Sequence, residues 1–252
     1  LFEHRARRVR PHRDEKILTE WNGLAISALA RAGFLLDEPS LIDDAARAAA
    51  FIESELFDAA SGQLFRRWRD GDRAVHAQQA DHAMLVEGLL DLFEASGDAR
   101  WLTFALTLEE TQDRRFFDET GGGYFMNEEA TDLLVRMKED GDNVIPSGSS
   151  VAAMNGMRLT ALTGRPAFRE KAMATLVAEK IPFKKEMLSE EEARIRNIHA
   201  PVGKDVRLVA VGMHEPCGCG GTHVATTGEI GTVTIRKISS KKGVTRISYE
   251  VR

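Results

Sequence analysis

The chain has 252 residues and a mass of 27.9 kDa, with 43% apolar and 29% charged residues and a formal net charge of −5. That mix excludes a disordered, collagen-like or disulfide-scaffolded chain. No run of about 18 apolar residues occurs, so no membrane span is expected.

The basic stretch 1–16 lacks the apolar core of a signal peptide. The chain opens on Leu1, as a fragment of a longer product would. Cys217 and Cys219 are the two cysteines, one residue apart. That spacing argues against a structural disulfide and for a reducing, cytoplasmic compartment. Charge is split along the chain. Residues 176–252 hold 13 basic and 9 acidic side chains, a balance of +4, and 1–175 hold 21 and 30, a balance of −9. A sign change of this kind predicts two units with different partners, the basic one facing a polyanion or simply solvent.

The first unit repeats. At an offset of 60, Leu29 meets Leu89, Ile42 meets Leu102, Ala45 meets Ala105, Phe57-Asp58 meets Phe117-Asp118 and Phe65 meets Phe125. Each copy reads as helix, short turn, helix, then a glycine-containing excursion. Leu85, Leu89, Leu92 and Phe93 make one apolar face in the second copy. Gly97-Asp98 breaks the chain before Trp101. A third copy follows at an offset of 67, where Gly164, Phe168 and Ala172 match Gly97, Trp101 and Ala105. Between them, residues 121–125 and 133–137 suggest a short β-ribbon. Repeated helix pairs predict stacked αα-hairpins, in a line or closed into a ring with loops at one rim.

Arg8-Val9-Arg10-Pro11, Asp14, Lys16-Ile17-Leu18-Thr19 and Trp21-Asn22-Gly23-Leu24 carry a resemblance, as do Asp81, residues 88–92, Trp101-Leu102, residues 122–125 and residues 146–150. Residues 5–176 resemble the helical part of the YyaL type of thioredoxin-domain-containing proteins. The resemblance implies part of an (α/α)6 toroid of the six-hairpin-glycosidase kind, related to sugar 2-epimerases. About three hairpins are visible, and the thioredoxin-like domain that normally precedes the toroid is not among these residues. Where family members often show Asp-Tyr-Ala, this chain has Asp81-His82-Ala83.

Sugar chemistry needs paired carboxylates or an acid/base pair. Candidates at the rim are Asp14, Asp81, His82, Asp140 and Asp142. Trp21, Trp68 and Tyr124 are candidate stacking platforms, with Asn22 beside them, and Arg66, Arg67 and Arg136 candidate anion binders. Each also has a bland reading. Asp81 suits a helix cap, Asp14 and Asp142 suit turns, and Trp21 suits a core. Ser147-Gly148-Ser149 reads as a helix cap. Gly121-Gly122-Gly123 lacks the lysine and following helix of a phosphate loop.

The second unit reads as a small α+β fold. Residues 205–212, 231–238 and 244–251 alternate like strands, residues 240–243 supply a turn, and Ser189 caps a short acidic helix through Ala193. Cys217-Gly218-Cys219-Gly220-Gly221-Thr222-His223 lies between the strands. Thiolate and imidazole four residues apart, with glycines between, can approach one metal ion, and Zn²⁺ suits that donor set. Residues 219–224, 227–231 and Arg246-Ile247 resemble the editing domain of alanyl-tRNA synthetases and free-standing alanyl-tRNA editing proteins, over residues 180–252. The resemblance implies hydrolysis of esters wrongly attached to alanine tRNA, Cys219 and His223 as zinc ligands, and Thr222 lining the pocket. The two histidines at i and i+4 that complete the family's ligand set are missing here. His214 with Cys217, or another chain, are the alternatives.

Two partial domains, 1–176 and 177–252, are therefore expected, with no Gly/Ser/Pro linker between them. Leu176 to Lys180 continue the last helix in this reading. An open half-ring exposes apolar edges for a second chain to cover. The function classes left are a zinc-dependent hydrolase of mischarged tRNA, a carbohydrate-acting or sugar-binding toroid, and a non-catalytic remnant.

Overall fold

The computed structural model describes the whole chain except residues 1, 10–11, 132, 140, 142, 197, 199–204, 213–215, 220–222 and 242–243. Asp140, Asp142, His214 and Thr222 among the candidates, and the turn at 242–243, lie outside the described residues. The chain divides into two compact units, Leu1–Leu108 and Glu109–Arg252.

The first unit opens on a short helix, α1 (Phe2–Ala6), and a strand, β1 (Ile17–Leu18). Helices α2 (Thr19–Leu36) and α3 (Pro39–Phe51) form the first hairpin, and α3 runs on into a wide turn at Ile52–Leu56. The excursion contains β2 (Phe57–Asp58), β3 (Gln63–Arg69) and β4 (Asp72–His76), with β3 antiparallel to β1, β2 and β4. Helices α4 (Gln79–Ser96) and α5 (Ala99–Phe116) follow in the chain, and the boundary between the units falls within α5.

The repeat in sequence is a repeat in structure. Phe57 pairs with Leu64 and Phe117 with Tyr124, both antiparallel and 60 residues apart. The three hairpin turns use one device. Asp37, Gly97 and Gly164 take left-handed φ values of 55°, 71° and 71°, and the Gly97 and Gly164 N–H groups close onto Phe93 O and Thr160 O at 2.8 and 2.9 Å. Such a turn satisfies carbonyls that the helix end leaves open. Pro39 and Pro166 then start the next helices, where a missing N–H costs nothing.

Helices α2 and α4 meet backbone to backbone. A Cβ on Gly23 would lie 2.5 Å from the Met84 carbonyl carbon, and one on Gly88 would lie 2.5 Å from Gly23 O. Ile26, Ala30, Leu85, Leu89 and Leu92 fill the rest of this core, all fully buried.

In the second unit, α6 (Gly148–Thr163) and α7 (Pro166–Ala178) make the third hairpin. Ser147 caps α6 as expected, its Oγ accepting from the Ser150 N–H at 3.1 Å. The excursion before it is held by the Phe117–Tyr124 bridge and a 2.8 Å bond from Met126 N–H to Met137 O. Next come β5 (Phe183–Leu188), α8 (Glu190–Ile195), β6 (Val206–Val211) and β7 (Cys217–Gly218), in one antiparallel sheet of order β5-β6-β7. Ser189 and Glu192 form the capping box of α8. β8 (Val233–Lys241) and β9 (Val244–Val251) pair as an antiparallel hairpin, with an irregularity between Ile235 and Lys237.

Around the expected seam at 176–177, α7 is tied to later residues. Thr227 Oγ1 donates to Leu176 O at 2.7 Å and accepts from Ile181 N–H at 2.8 Å, and Thr227 N–H donates to Ile181 O at 2.8 Å. Among the described residues no helix is long and apolar enough to cross a membrane.

The glycine crossing can be tested directly. Gly88→Ala is expected to lose about 1–3 kcal/mol by overpacking, a fall of about 3–10 °C in the first melting transition. Gly141→Ala, where nothing lies within 4 Å of the added methyl, leaves it unchanged.

Candidate functional site

The start of α4 gathers the expected rim residues of the first unit. Asp81 is fully buried and accepts three donors: Gln78 N–H at 2.8 Å, Glu20 N–H at 3.1 Å and the Arg66 guanidinium at 2.7 Å. The other arm of Arg66 reaches Glu20 Oε2 at 3.0 Å. Arg66 is therefore held by two carboxylates of its own chain rather than free for a ligand anion. Burial pushes the Asp81 carboxyl up, against the pull of Arg66 and the Gln78 N–H. Asp81 is the third helical residue of a capping box with Gln78, close to the capping role its sequence suggests.

His82 is also fully buried, its Nδ1 3.1 Å from Gln78 O. Trp21, one residue after Glu20, is 63% exposed, so the core reading of this side chain gives way to a surface one. Asn22 Nδ2 donates to Leu18 O at 2.8 Å. Trp68 packs edge-on against Phe51 at 5.2 Å, and Arg67 pairs with Asp72 at 3.2 Å. Asp14 stays on the surface, where Lys16 binds its carboxylate at 2.9 Å and holds its pKa down. The structure thus brings Asp81, His82, Trp21 and Asn22 to one region, the facing first turns of α2 and α4.

The second unit holds a cluster that sequence reasoning missed. Glu109 and Asp113 lie one turn apart on α5. Asp113 accepts from the Tyr124 hydroxyl at 2.6 Å and from Lys171 Nζ at 3.0 Å, and Glu109 accepts from Gln112 Nε2 at 3.2 Å. Glu109 is 2% exposed. Burial raises its pKa well above the usual carboxylate range, the neighbouring Asp113 raises it further, and Lys171 pulls back. Burial also drives the Tyr124 phenol upward. Tyr124 is therefore a core residue and not a stacking platform. The only signal in the sequence was a Glu/Asp pair at helical spacing, hidden beside the exposed Glu110.

Arg136 binds backbone. It donates to Asn127 O at 2.9 Å and Arg115 O at 2.9 Å and lies 4.1 Å above the Phe125 ring. Lys138, 2.7 Å from Asp118, and the N–H groups of Gly121 and Thr120 hold the Asp118 carboxyl down at about 2.

Further along, Cys219 is fixed to β6 by two bonds with Arg207: Cys219 N–H to Arg207 O at 2.9 Å, and Arg207 Nε to Cys219 O at 3.1 Å. His223 leans on Phe183 with ring centres 5.8 Å apart, and its carbonyl accepts from Lys185 Nζ at 3.1 Å. Its Nδ1 is buried without a hydrogen-bond partner among the described residues. Cys217 is exposed, its Sγ 3.8 Å from Val209 O. Among the described residues no group of three or more His, Cys, Asp and Glu side chains is gathered to hold a metal.

Residues 206–248 match the family model of the threonyl and alanyl tRNA synthetase second additional domain. Human spermatogenesis-associated protein 20 is 40% identical over 188 residues, covering 71% of this chain and 24% of the human protein. The helical part resembles spermatogenesis-associated protein 20. The chain spans about a quarter of the length of that relative. Among solved structures, a cellobiose 2-epimerase from Spirochaeta thermophila aligns with a TM-score of 0.54 at 20% identity, over 66% of this chain and 44% of that one. A GH76 α-mannanase from Bacteroides thetaiotaomicron aligns with a TM-score of 0.54 at 16% identity, over 69% and 45%. At such identities the likeness shows the fold alone, and that fold is the α/α toroid of six-hairpin-glycosidase type.

The buried acid of the second unit predicts a pH effect. Its folded pKa is raised above the unfolded value, so stability is full below about 4.5 and is lost as pH rises toward the folded pKa. Glu109→Gln removes that loss. The stability of the variant relative to the parent is expected to rise by about 1.4 kcal/mol per pH unit above 4.5, up to the folded pKa. Urea midpoints at pH 5, 6.5 and 8 measure it, and a pH-independent difference would place Glu109 in its charged form.

Proposed function

We propose that the chemistry of this chain lies in its C-terminal part, residues 177–252, as recognition of an aminoacyl ester carried by tRNA, with Cys219 and His223 as two of the donors to a Zn²⁺ ion. The observation that carries it is the His223 ring. It is wedged against Phe183 with a buried nitrogen that has no partner among the described residues, four residues after a cysteine fixed to β6. The match of residues 206–248 to a tRNA synthetase domain supports the same reading.

The donor set falls short of a complete site. A catalytic zinc takes three protein ligands and an open position. Cys219 and His223 supply two, so the remaining ligands come from another segment or another chain. When bound, such an ion polarises an ester carbonyl and a water. The chain's own residues serve binding. Lys185 on β5 presents positive charge beside the His223 loop, suited to tRNA phosphate. Both thiols stay reduced, as in the cytoplasm.

Cobalt titration tests the pair by a spectroscopic readout. A thiolate-to-cobalt charge-transfer band is expected in the parent chain and absent from both Cys219→Ala and His223→Ala. A band that survives in both variants, or none in the parent, overturns the assignment.

The helical part, residues 1–176, supports a second reading, saccharide binding at the first turns of α2 and α4. Trp21 stands exposed beside Asn22 and the Asp81–Arg66–Glu20 network. Three donors on Asp81 favour binding over turnover, with His82 positioning the turn. Saturable quenching of tryptophan fluorescence by a disaccharide, lost in Trp21→Phe, is the expected result. An unchanged response in Trp21→Phe excludes this platform.

A further inference from the structure

The first unit spends many of its arginines on its own carboxylates. Arg66 reaches Glu20 and Asp81, Arg67 reaches Asp72, and Arg100 reaches Glu53. The segment around α1 departs from that habit. Residues 4–13 hold five arginines, two histidines and no acidic residue. The backbone turns there at the end of α1, where Arg8 N–H donates to Arg5 O at 3.2 Å. Arg5, Arg8, His12 and Arg13, with Phe2 and Val9, line a cleft of about 520 Å³. No carboxylate is among the described residues of that lining. Glu15 holds Arg13 at 2.5 Å, while the side chains of Arg5, Arg8 and His12 have no ion pair or hydrogen bond among the described residues. Like charges gathered without a counter-charge repel, and an anion in the cleft relieves that repulsion.

We propose that this cleft binds a nucleoside triphosphate, with the phosphate chain on Arg5, Arg8 and His12 and the base against Phe2. Guanidinium groups bind phosphate through paired, charge-assisted hydrogen bonds. The donors run along the chain from Arg5 to His12, a spread that matches several linked phosphoryl groups better than one. Phe2 is 82% exposed and Val9 99%, so the cleft also offers apolar surface that the fold leaves uncovered. A planar base stacks on such an aromatic face. The volume falls within the range of about 300–1,000 Å³ for small-molecule sites, and a concave lining favours a small ligand over a polymer. The cleft lies within the first unit and shares no residue with the proposed zinc and saccharide sites.

Fluorescence anisotropy of a labelled ATP on the full chain, with a metal chelator present, reads binding apart from the proposed zinc site. Saturable binding is expected, weakened about tenfold in Arg5→Ala and again in Arg8→Ala, since each removes charge-assisted hydrogen bonds. Arg31→Ala, an exposed position on α2, binds as the parent does. Arg5 and Arg8 are exposed, so the far-UV spectra of their variants stay those of the parent. Unlabelled ATP is expected to displace the probe at lower concentration than inorganic tripolyphosphate, and Phe2→Ala erases that gap. No saturable binding, unchanged binding in both Arg5→Ala and Arg8→Ala, or an equal loss in Arg31→Ala overturns the site. Equal displacement by ATP and tripolyphosphate in the parent overturns the base contact. Displacement by a short single-stranded RNA at lower concentration than ATP makes the cleft part of an RNA surface and overturns the nucleotide assignment.

Discussion

The crossing of α2 and α4 at Gly23 and Gly88 is the constraint on which the first unit depends. Two helices can touch backbone to backbone only where neither carries a Cβ, and here the approach leaves 2.5 Å for an added methyl. That contact brings the first turns of the helices together. It sets the Glu20 N–H over Asp81 and lets Arg66, arriving from β3, bridge the two carboxylates. A buried carboxylate pair without that guanidinium would leave charge uncompensated, a penalty of about 3–5 kcal/mol when one partner of a buried pair is removed. Asp81 therefore joins helix, strand and capping turn. Its place at the rim follows from this joint, which is why a residue that looks catalytic in sequence is engaged by structure on every side.

What was legible in the sequence is what repeats. Gly97 and Gly164 mark left-handed turns because glycine takes that conformation without strain, and both were visible as breaks. Asp37 does the same work at φ 55° and gives no such signal, since an L residue in that region is fixed by its surroundings. The pairing of Phe57 and Phe117 with residues seven further on follows the repeat as well. β5 was not legible. Phe-Lys-Lys-Glu-Met-Leu has no alternation, and Leu188 is its one buried residue, so pairing with β6 rather than burial makes it a strand.

Long-range electrostatics was the other blind spot. Glu109 and Asp113 sit on a helix whose sequence mixes Glu109-Glu110 with Gln112-Asp113, and nothing local tells the buried carboxylates from the exposed one. The distinction is made by Tyr124 and Lys171, which arrive 11 and 58 residues after Asp113 and close on the same carboxylate. At the other end of the unit the sequence was more informative than the contacts. The Cys219–His223 spacing is visible in the residues alone, while the structure adds that Arg207 and Phe183 fix the surroundings of each.

The sequence seam at 176–177 has no flexible linker, and the structure shows a physical reason why none is needed. Thr227 bonds to both Leu176 and Ile181, and Pro182 pairs with Thr226, so the end of α7 is completed by residues fifty positions later. A helix end leaves its last carbonyls without partners, and here a threonine of the following part supplies one. The two parts, which differ in charge and in relatives, therefore share a polar joint in which Thr227 is almost fully buried. A buried hydroxyl that both donates and accepts fixes a single geometry, because either bond lost strands a backbone group away from water. The C-terminal part consequently takes its starting position from a toroid helix, whatever its own strands do.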